Sequence, residues 1–248
     1  MSDLSFGQPQ LSEYHPQITV RDLKSPNSRT KRIKGYKTGR VHHLLSDFES
    51  KYFYLLEWAD NVTDIREQFP LNLQETTRIA RESGIKHPAY MDELTVMTTD
   101  FLITINNQNV IARTLKHTSE LENKRVLEKF CIEKEYWDSK GVDWGIVTEN
   151  EINDVFVSNI KHFIRYKNYI TETGIDGRIV RQIIDTISEG DSGLKSVLTE
   201  SDFKYGLEKG RSLAIFNCLV GNKILSINML KKFSISTPCF EIDVTGAL

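Results

Sequence analysis

Cysteine is scarce in this sequence, and its spacing excludes two classes of protein. The chain has three cysteines, Cys131, Cys218 and Cys239, with no C-x-x-C pair. Structural zinc sites and disulfide-stapled folds need several cysteines that are closely spaced or even in number, so neither is expected here. An odd number of isolated thiols fits a reducing compartment, and we expect a cytoplasmic protein.

Long hydrophobic segments are also missing. No apolar run approaches the roughly 20 residues that a membrane-spanning helix needs. The first ten residues, MSDLSFGQPQ, have no basic stretch followed by an apolar one, so no signal peptide is expected. Hydrophobic residues make up 39% of the 248-residue chain, enough for the core of one large or two modest globular domains without a membrane partner.

The chain has no overall excess of positive charge, and its net charge of -2 excludes a basic protein that coats nucleic acid. Positive charge is instead concentrated in residues 21–40, RDLKSPNSRTKRIKGYKTGR, which hold eight lysines or arginines and one aspartate. Such a segment can meet a phosphate backbone, and it can equally be a solvated arm. The candidate phosphate-binding residues are Lys31, Arg32, Lys34, Lys37 and Arg40.

Hydrophobic periodicity predicts an α/β unit in the first part of the chain. Apolar residues at steps of three and four predict a helix from Val41 to about Trp58, and QETTRIARESG (74–84) predicts a short helix. Two β-branched runs, 94–105 and 110–117, flank a turn signal and predict a β-hairpin. A helix over 119–140, capped by Ser119 with Glu122, and a strand over 142–148 complete a mixed sheet flanked by helices.

The pattern changes after about residue 155. Three helical segments are followed by two short β-like runs, which predicts a smaller, mostly helical, winged-helix-like C-terminal domain. We therefore expect a basic extended arm at 1–38, an α/β domain at 39–155 and the helical domain at 156–248, the last for binding a partner or DNA.

Strand geometry brings three polar residues of the predicted hairpin together. Side chains alternate between the two faces of a strand, so Thr114 and Lys116 share one face of the second strand. If Leu102 lies opposite Thr114, Asp100 lies opposite Lys116 and the three groups converge. A slip of one residue would separate them.

A fourth polar residue comes from the first helix, where Glu49 lies at the edge of the apolar stripe. Together with Asp100 it can offer hard carboxylate oxygens to Mg²⁺, and the backbone carbonyl of Leu115 can add a neutral oxygen. Each of these residues also has a simpler interpretation. Glu49 can be a boundary residue of its helix, Asp100 can lie on an edge strand, and Lys116 can be solvated.

The order Asp100, hairpin turn, Thr114-x-Lys116 resembles the PD-(D/E)-x-K core of restriction-endonuclease-like nucleases. The surrounding sequence is more specific. The segments at 37–49, 56–71, 83–88, 98–102 and 127–137 resemble the TnsA family, the endonuclease subunits of Tn-seven-like heteromeric transposases; they are KTGRVHHLLSDFE, LEWADNVTDIREQFPL, SGIKHP, TTDFL and LEKFCIEKEYW. The resemblance runs from about Lys37 to Asn153 and is looser beyond, where EKGRSL is its clearest element.

The resemblance implies a restriction-endonuclease-like fold and a function for each matching position. Glu49 matches the helix carboxylate, Asp100 the metal-binding aspartate and Lys116 the catalytic lysine, with Glu49, Asp100, Thr114 and Leu115 as the metal site for Mg²⁺ or its substitute Mn²⁺. The family commonly has Gln two residues before the lysine, where this chain has Thr114. A hydroxyl is a weaker ligand than a carboxylate, so the Leu115 carbonyl is expected to matter more.

The resemblance also implies a reaction and partners. Members of the family cut the 5′, non-transferred strand at transposon ends, alongside a TnsB-like transposase that cuts the 3′ strand and a TnsC-like AAA+ ATPase that engages the C-terminal domain. Two alternatives stay open at this point. The chain can be a DNA-binding assembly adaptor with a weakened nuclease site, or a resolvase or repair nuclease on the same fold that acts without partners.

Overall fold

The computed structural model describes residues 6–22, 29–190 and 192–246. The chain divides into two compact units, Met1–Ile152 and Asn153–Leu248, close to the boundary predicted after residue 155. None of the helices in the described ranges combines the length and apolar character that crossing a membrane requires.

The first unit is built around a four-stranded mixed sheet. The strands of the whole unit are β1 (Lys31–Lys34), β2 (Val41–Leu44), β3 (Val62–Pro70), β4 (Ala89–Tyr90), β5 (Glu93–Leu94), β6 (Thr98–Ile105), β7 (Asn109–Leu115) and β8 (Asp143–Val147). Its helices are α1 (Asp47–Trp58), α2 (Leu73–Glu82) and α3 (Lys124–Asp138). The central sheet has the order β3-β6-β7-β8, with β3, β6 and β7 antiparallel and β8 parallel to β7. The predicted mixed α/β fold, consistent with a restriction-endonuclease-like architecture, is confirmed.

Alternation along β6 and β7 sorts apolar side chains into two cores, one on each side of the sheet. Leu102 and its pair partner Ala112 pack with Trp137 of α3. Phe101 and Ile103, the residues on either side of Leu102, pack with α1 instead. The sheet is therefore covered by α2 and α3 on one side and by α1 on the other.

Strand β3 was missed by the sequence analysis because it does not alternate between apolar and polar residues. Within it Asp64, Arg66, Glu67 and Gln68 are all buried, and they neighbour apolar residues that are buried too. Buried charges of this kind are stable only when they are paired, which a local pattern cannot reveal.

The predicted helix boundaries were wrong in two places. Residues 41–44 form β2, and α1 begins only at Asp47, because the Ser46 side chain caps it by accepting a hydrogen bond from the backbone amide of Glu49. Helix α3 begins at Lys124 with Asn123 as its cap, not at Ser119. In both cases a polar side chain that accepts backbone N–H groups decides where the helix starts.

The predicted extended arm at 1–38 falls partly on residues 1–5 and 23–28, which lie outside the described residues. The described part is built into the first unit. Strand β1 pairs antiparallel with β2, and Tyr14 is 1% exposed, with its hydroxyl donating to the backbone oxygen of Glu67.

The second unit is mostly helical and has a core of its own. Its helices are α4 (Asp154–Ile164), α5 (Tyr169–Thr173), α6 (Gly177–Ser188), α7 (Leu194–Lys204) and α8 (Arg211–Gly221), and its short strands are β9 (Leu225–Ser226) and β10 (Asp243–Val244). Helix α6 buries the repeating aliphatic residues Val180, Ile183, Ile184 and Ile187, which form one face at steps of three and four. The two short strands pair antiparallel near the end of the chain.

Candidate active site

The β6–β7 hairpin has a register that differs by two residues from the predicted one. Leu102 lies opposite Ala112, and not opposite Thr114. A shift of two residues preserves the alternation of faces, whereas a shift of one would have reversed it. Asp100 consequently does not lie opposite Lys116. One of its carboxylate oxygens accepts a hydrogen bond of 2.7 Å from the backbone amide of Leu115, the residue before the lysine.

Asp100 is held from a second side by Gln68 of β3. The Gln68 side-chain amide donates to the other carboxylate oxygen of Asp100 at 3.2 Å and accepts from the Thr98 hydroxyl at 3.0 Å. Gln68 is buried with a φ of +47°, a conformation that is strained for a residue with a Cβ and that often marks a functional site. Burial raises the pKa of Asp100, although the Leu115 amide, Gln68 and the Lys116 charge all lower it.

Glu49 lies in the first turn of α1, where its carboxylate is almost fully buried. It accepts hydrogen bonds from the Leu45 backbone amide at 2.8 Å and from the Ser46 hydroxyl at 3.0 Å. Burial, together with the negative charge of Asp100, raises the pKa of Glu49 to about 7. The two carboxyl groups therefore interact electrostatically, and their buried environment disfavours the ionised form of each.

Lys116 follows β7 directly, and its ammonium group reaches the same region. Its Nζ lies 2.8 Å from a carboxylate oxygen of Glu120, which belongs to the short helical turn Thr118–Glu120. The lysine side chain is partly exposed, and its charge acts on Asp100.

Glu133 of α3 is a third carboxylate at this site, which the sequence analysis missed. It is 3% exposed and accepts hydrogen bonds from the hydroxyls of Thr99 (2.7 Å) and Thr114. The Trp137 indole in turn donates to the Thr99 hydroxyl. Burial raises the pKa of Glu133 to about 7, and the nearby charge of Asp100 adds to the effect. The signal in the sequence was its spacing from Phe130 and Trp137, which puts Glu133 in the buried stripe of α3.

These residues surround one open cavity of about 490 Å³. The four segments that form it are the start of α1, the segment leading into β6, the end of β7 and α3. The polar residues that line it include Glu49, Asp100, Thr114, Lys116, Lys129 and Glu133. Leu115 lines it as well, so the catalytic and metal-site residues predicted from the sequence share a single cavity.

The oxygen donors of this cavity fit Mg²⁺ or Mn²⁺. Mg²⁺ is commonly held by one or two carboxylates, with water and substrate oxygens completing its shell. Glu49 and Asp100 match that demand, and burial raises the pKa of both carboxyl groups, whereas a bound cation would favour their ionised form. No cluster of three or more histidine, cysteine, aspartate or glutamate side chains suited to a metal occurs within residues 6–22, 29–190 and 192–246. The Thr114 hydroxyl is already bound to Glu133, so it is less available as a ligand.

The predicted phosphate-binding residues fall into two groups. Arg40 is buried, forming a bidentate pair with Glu67 and donating to the Ile65 carbonyl, so its guanidinium group is engaged within the protein. The Lys37 side chain is also held within the protein, since its Nζ donates to the carbonyls of Ala59 and Val62 at 2.7 Å.

The other three predicted residues, Lys31, Arg32 and Lys34, are exposed on β1. Lys31 forms an ion pair with Asp47 at the start of α1. Among the predicted residues, the exposed side chains of β1 are therefore the ones that a phosphate backbone could reach.

Comparison with known proteins identifies the family of the chain. The model of the "TnsA-like endonuclease N terminal" family matches residues 59–149, and that of the "TnsA endonuclease C terminal" family matches residues 151–229. The chain is 37% identical over 241 residues to the "Transposon Tn7 transposition protein TnsA" of Escherichia coli, a match that covers 96% of this chain and 88% of that protein. This chain therefore belongs to the TnsA family of endonucleases that act in transposition.

Proposed function

We propose that this protein is a Mg²⁺-dependent endonuclease that cuts the 5′, non-transferred strand at transposon ends. The observation that carries the proposal is the convergence of Glu49, Asp100 and Lys116, from three separate segments, on one cavity. The choice of strand comes from the family resemblance, and the choice of metal from the two carboxylates.

Glu49 and Asp100 are the residues that would hold the ion. When bound, Mg²⁺ neutralises the charge of the phosphodiester and lowers the pKa of an attacking water molecule. The protein prepares for this by fixing both carboxylates before the substrate arrives, with the Leu45 amide and Ser46 holding Glu49 and the Leu115 amide holding Asp100. Such preorganisation avoids rearrangement during the reaction.

Lys116 supplies the positive charge beside the reacting phosphate. Its ammonium is shared with Glu120 in the free protein, and it can donate to the attacking water or to a phosphate oxygen once DNA competes for it. Glu133, one helix turn after Lys129 on α3, is mostly protonated below pH 7 and can release a proton above it. The exposed ammonium of Lys129 is placed to bind a phosphate of the same strand.

We assign partner binding to the second unit, in line with the TnsC-like ATPase that the family resemblance implies. Large apolar side chains are exposed there, with Phe203 92%, Phe240 77% and Leu230 65% accessible to solvent. Exposed apolar residues of this size are typical of protein interfaces. A TnsB-like transposase that cuts the 3′ strand would complete the double-strand break.

The test is a cleavage assay on transposon-end DNA with a separate label on each strand, in the presence of Mg²⁺ and the partner proteins. Wild-type protein should cut the 5′ strand, while Asp100→Ala and Lys116→Ala should leave it intact without affecting the 3′ cut. Equal cutting of the 5′ strand by all three proteins would refute the proposal and favour a role as an assembly adaptor. Efficient cutting without partners would instead favour an autonomous nuclease on the same fold.

A further inference from the structure

The β4–β5 hairpin is a small, well-defined projection of the first unit. Ala89 pairs with Leu94 and Tyr90 with Glu93, which leaves a turn of two residues, Met91 and Asp92. Both turn residues have positive φ, +48° and +65°. A two-residue turn of this kind normally contains glycine or asparagine, so a methionine at its tip is unfavourable for the backbone and suggests that the side chain is needed there.

The hairpin exposes three large apolar side chains within five residues. Tyr90 is 70% exposed, Met91 80% and Leu94 48%. Single exposed apolar residues are common on soluble proteins, but a group of them marks an interaction site. The β4–β5 hairpin is a two-stranded ribbon with an apolar tip, and this shape limits the kinds of partner that it can bind.

The base of the hairpin belongs to the candidate active site. Pro88 and Thr95, the residues on either side of it, both line the cavity that contains Asp100 and Lys116, and the Thr95 amide donates to the Pro88 carbonyl at 3.0 Å. The hairpin therefore starts at the rim of the cavity. Two residues per strand extend about 7 Å at roughly 3.3 Å per residue. The tip is therefore close enough to the rim to meet DNA that has a backbone phosphate in the cavity.

We propose that the β4–β5 hairpin enters a groove of the DNA substrate beside the cleavage site, with Tyr90 and Met91 against the bases. A two-stranded ribbon fits the major groove of DNA, which is about 12 Å wide, and apolar side chains can contact the methyl group of thymine there. The proposal rests on the proposed function, because it takes the position of the DNA from the cavity.

The charges near the hairpin fit contact with bases better than contact with the phosphate backbone. Asp92 and Glu93 at the turn repel phosphates, whereas the apolar tip has no such conflict. Positive charge lies beside the hairpin, since Lys86 and Arg125 share a surface depression with Met91 and Asp92. These two residues can contact phosphates at the edge of the groove.

Site-specific cross-linking tests the placement directly. A benzophenone amino acid is introduced at position 91 of the full chain, which is assembled with its partner transposase on transposon-end DNA in Ca²⁺ instead of Mg²⁺ and irradiated. The hairpin proposal predicts cross-links to bases within about half a helical turn of the 5′ cleavage site, or roughly five base pairs. The same amino acid at Gln108, an exposed residue of the β6–β7 turn at the other end of β6 from Asp100, should not label those bases. Cross-links from position 91 only to the partner protein, or none to those bases, would overturn the proposal.

Matched substitutions give a second readout. The double variant Tyr90→Ala, Met91→Ala should cut DNA at least about tenfold more slowly, since tenfold corresponds to about 1.4 kcal/mol, the lower part of the range of one aromatic base contact. Asp92→Asn, which keeps a residue that tolerates positive φ and removes a negative charge, should bind DNA as well as wild type or more tightly. Weaker DNA binding by Asp92→Asn would contradict the proposal and indicate contact with a basic protein surface.

The two proposals can fail separately. Cross-links to the predicted bases from position 91, together with a wild-type protein that does not cut in Mg²⁺, would refute the nuclease function and retain the hairpin contact. Normal Mg²⁺-dependent cutting, with no cross-link from position 91 to DNA, would refute the hairpin contact alone.

Discussion

The backbone amide of Leu115 donates a hydrogen bond of 2.7 Å to the carboxylate of Asp100. This contact links the start of β6 to the end of β7 and holds the aspartate beside the residue that precedes Lys116. An aspartate is unfavourable in a β-strand, and the buried group carries a raised pKa. The fold thus bears a cost at Asp100 that a bound cation would offset.

Replacing Asp100 by asparagine tests the contribution of its negative charge while the shape of the side chain is kept. Asp100→Asn keeps an oxygen that accepts from Leu115 but removes the negative charge, so cleavage should fall on the order of 10²–10³-fold while the melting temperature stays at or above that of wild type. Asp143→Asn, at an exposed carboxylate of β8 paired with Arg113, is the control and should cut normally. Substantial cleavage by Asp100→Asn would exclude the aspartate as a metal ligand.

The raised pKa of Glu49 predicts how stability depends on pH. Between the ordinary pKa of 4.5 and the folded value of about 7, the unfolded chain has lost a proton that the folded protein still holds, so the free energy of unfolding falls as pH rises. Glu49→Gln should remove this loss and stabilise the metal-free protein at pH 8 by roughly 1–3 kcal/mol, with little change at pH 4. Urea denaturation at both pH values measures the effect.

Addition of Mg²⁺ should reverse the stability difference between Glu49→Gln and wild type at pH 8. The ion favours the ionised carboxylates, so it should raise the stability of wild type at pH 8 and have little effect on Glu49→Gln. Equal stabilisation of both proteins by Mg²⁺ would mean that the ion binds elsewhere.

The hydrogen bond from Thr114 to Glu133 should contribute to both folding and cleavage. Thr114→Val has a similar shape but no hydroxyl, so the buried carboxyl loses one of its two threonine donors and the free energy of unfolding should fall by about 1–3 kcal/mol. Thr114→Ser keeps the donor and should behave like wild type. If Thr114 acts through Glu133, adding Thr114→Val to Glu133→Gln should cause little further loss of stability or of cleavage rate. Additive losses would show that the two residues act independently.

Arg40 and the exposed residues of β1 should differ sharply in their mutant phenotypes. Arg40→Ala removes the arginine that pairs with the buried carboxylate of Glu67, leaving it His42 and the His43 amide, and should destabilise the protein by about 3–5 kcal/mol. Arg32→Ala and Lys34→Ala should change stability by less than about 0.5 kcal/mol. If they contact phosphates, each should also reduce the salt dependence of DNA binding by about one counterion. Weakened DNA binding by a fully stable Arg40→Ala would reverse this assignment.

Local sequence patterns were sufficient to predict the β6–β7 hairpin without its register, the two long helices of the first unit and strand β8, because apolar periodicity controls those elements directly. They were insufficient for β3. There the buried side chain of Asp64 pairs with Arg66 of the same strand, and that of Glu67 pairs with Arg40 of an earlier segment. Because these buried residues are charged, the alternation of apolar and polar residues that predicts a strand is absent.

The same limit explains what was missed in the site. Glu49, Asp100 and Lys116 were found from the resemblance and from strand and helix geometry. Glu133 was overlooked because a carboxylate departs from the apolar pattern by which the buried side of a helix is predicted. The buried stripe includes Glu133, and the threonine donors that make this tolerable come from β6 and β7, more than fifteen residues away in sequence.

Location of the metal tests the central claim most directly. Crystals of the protein soaked in Mn²⁺ and measured at the manganese absorption edge should show one or two anomalous peaks in the cavity, in contact with the carboxylates of both Glu49 and Asp100. The peaks should be lost in Asp100→Asn crystals. Clear Mn²⁺ density elsewhere in the protein, with none between Glu49 and Asp100, would contradict the account.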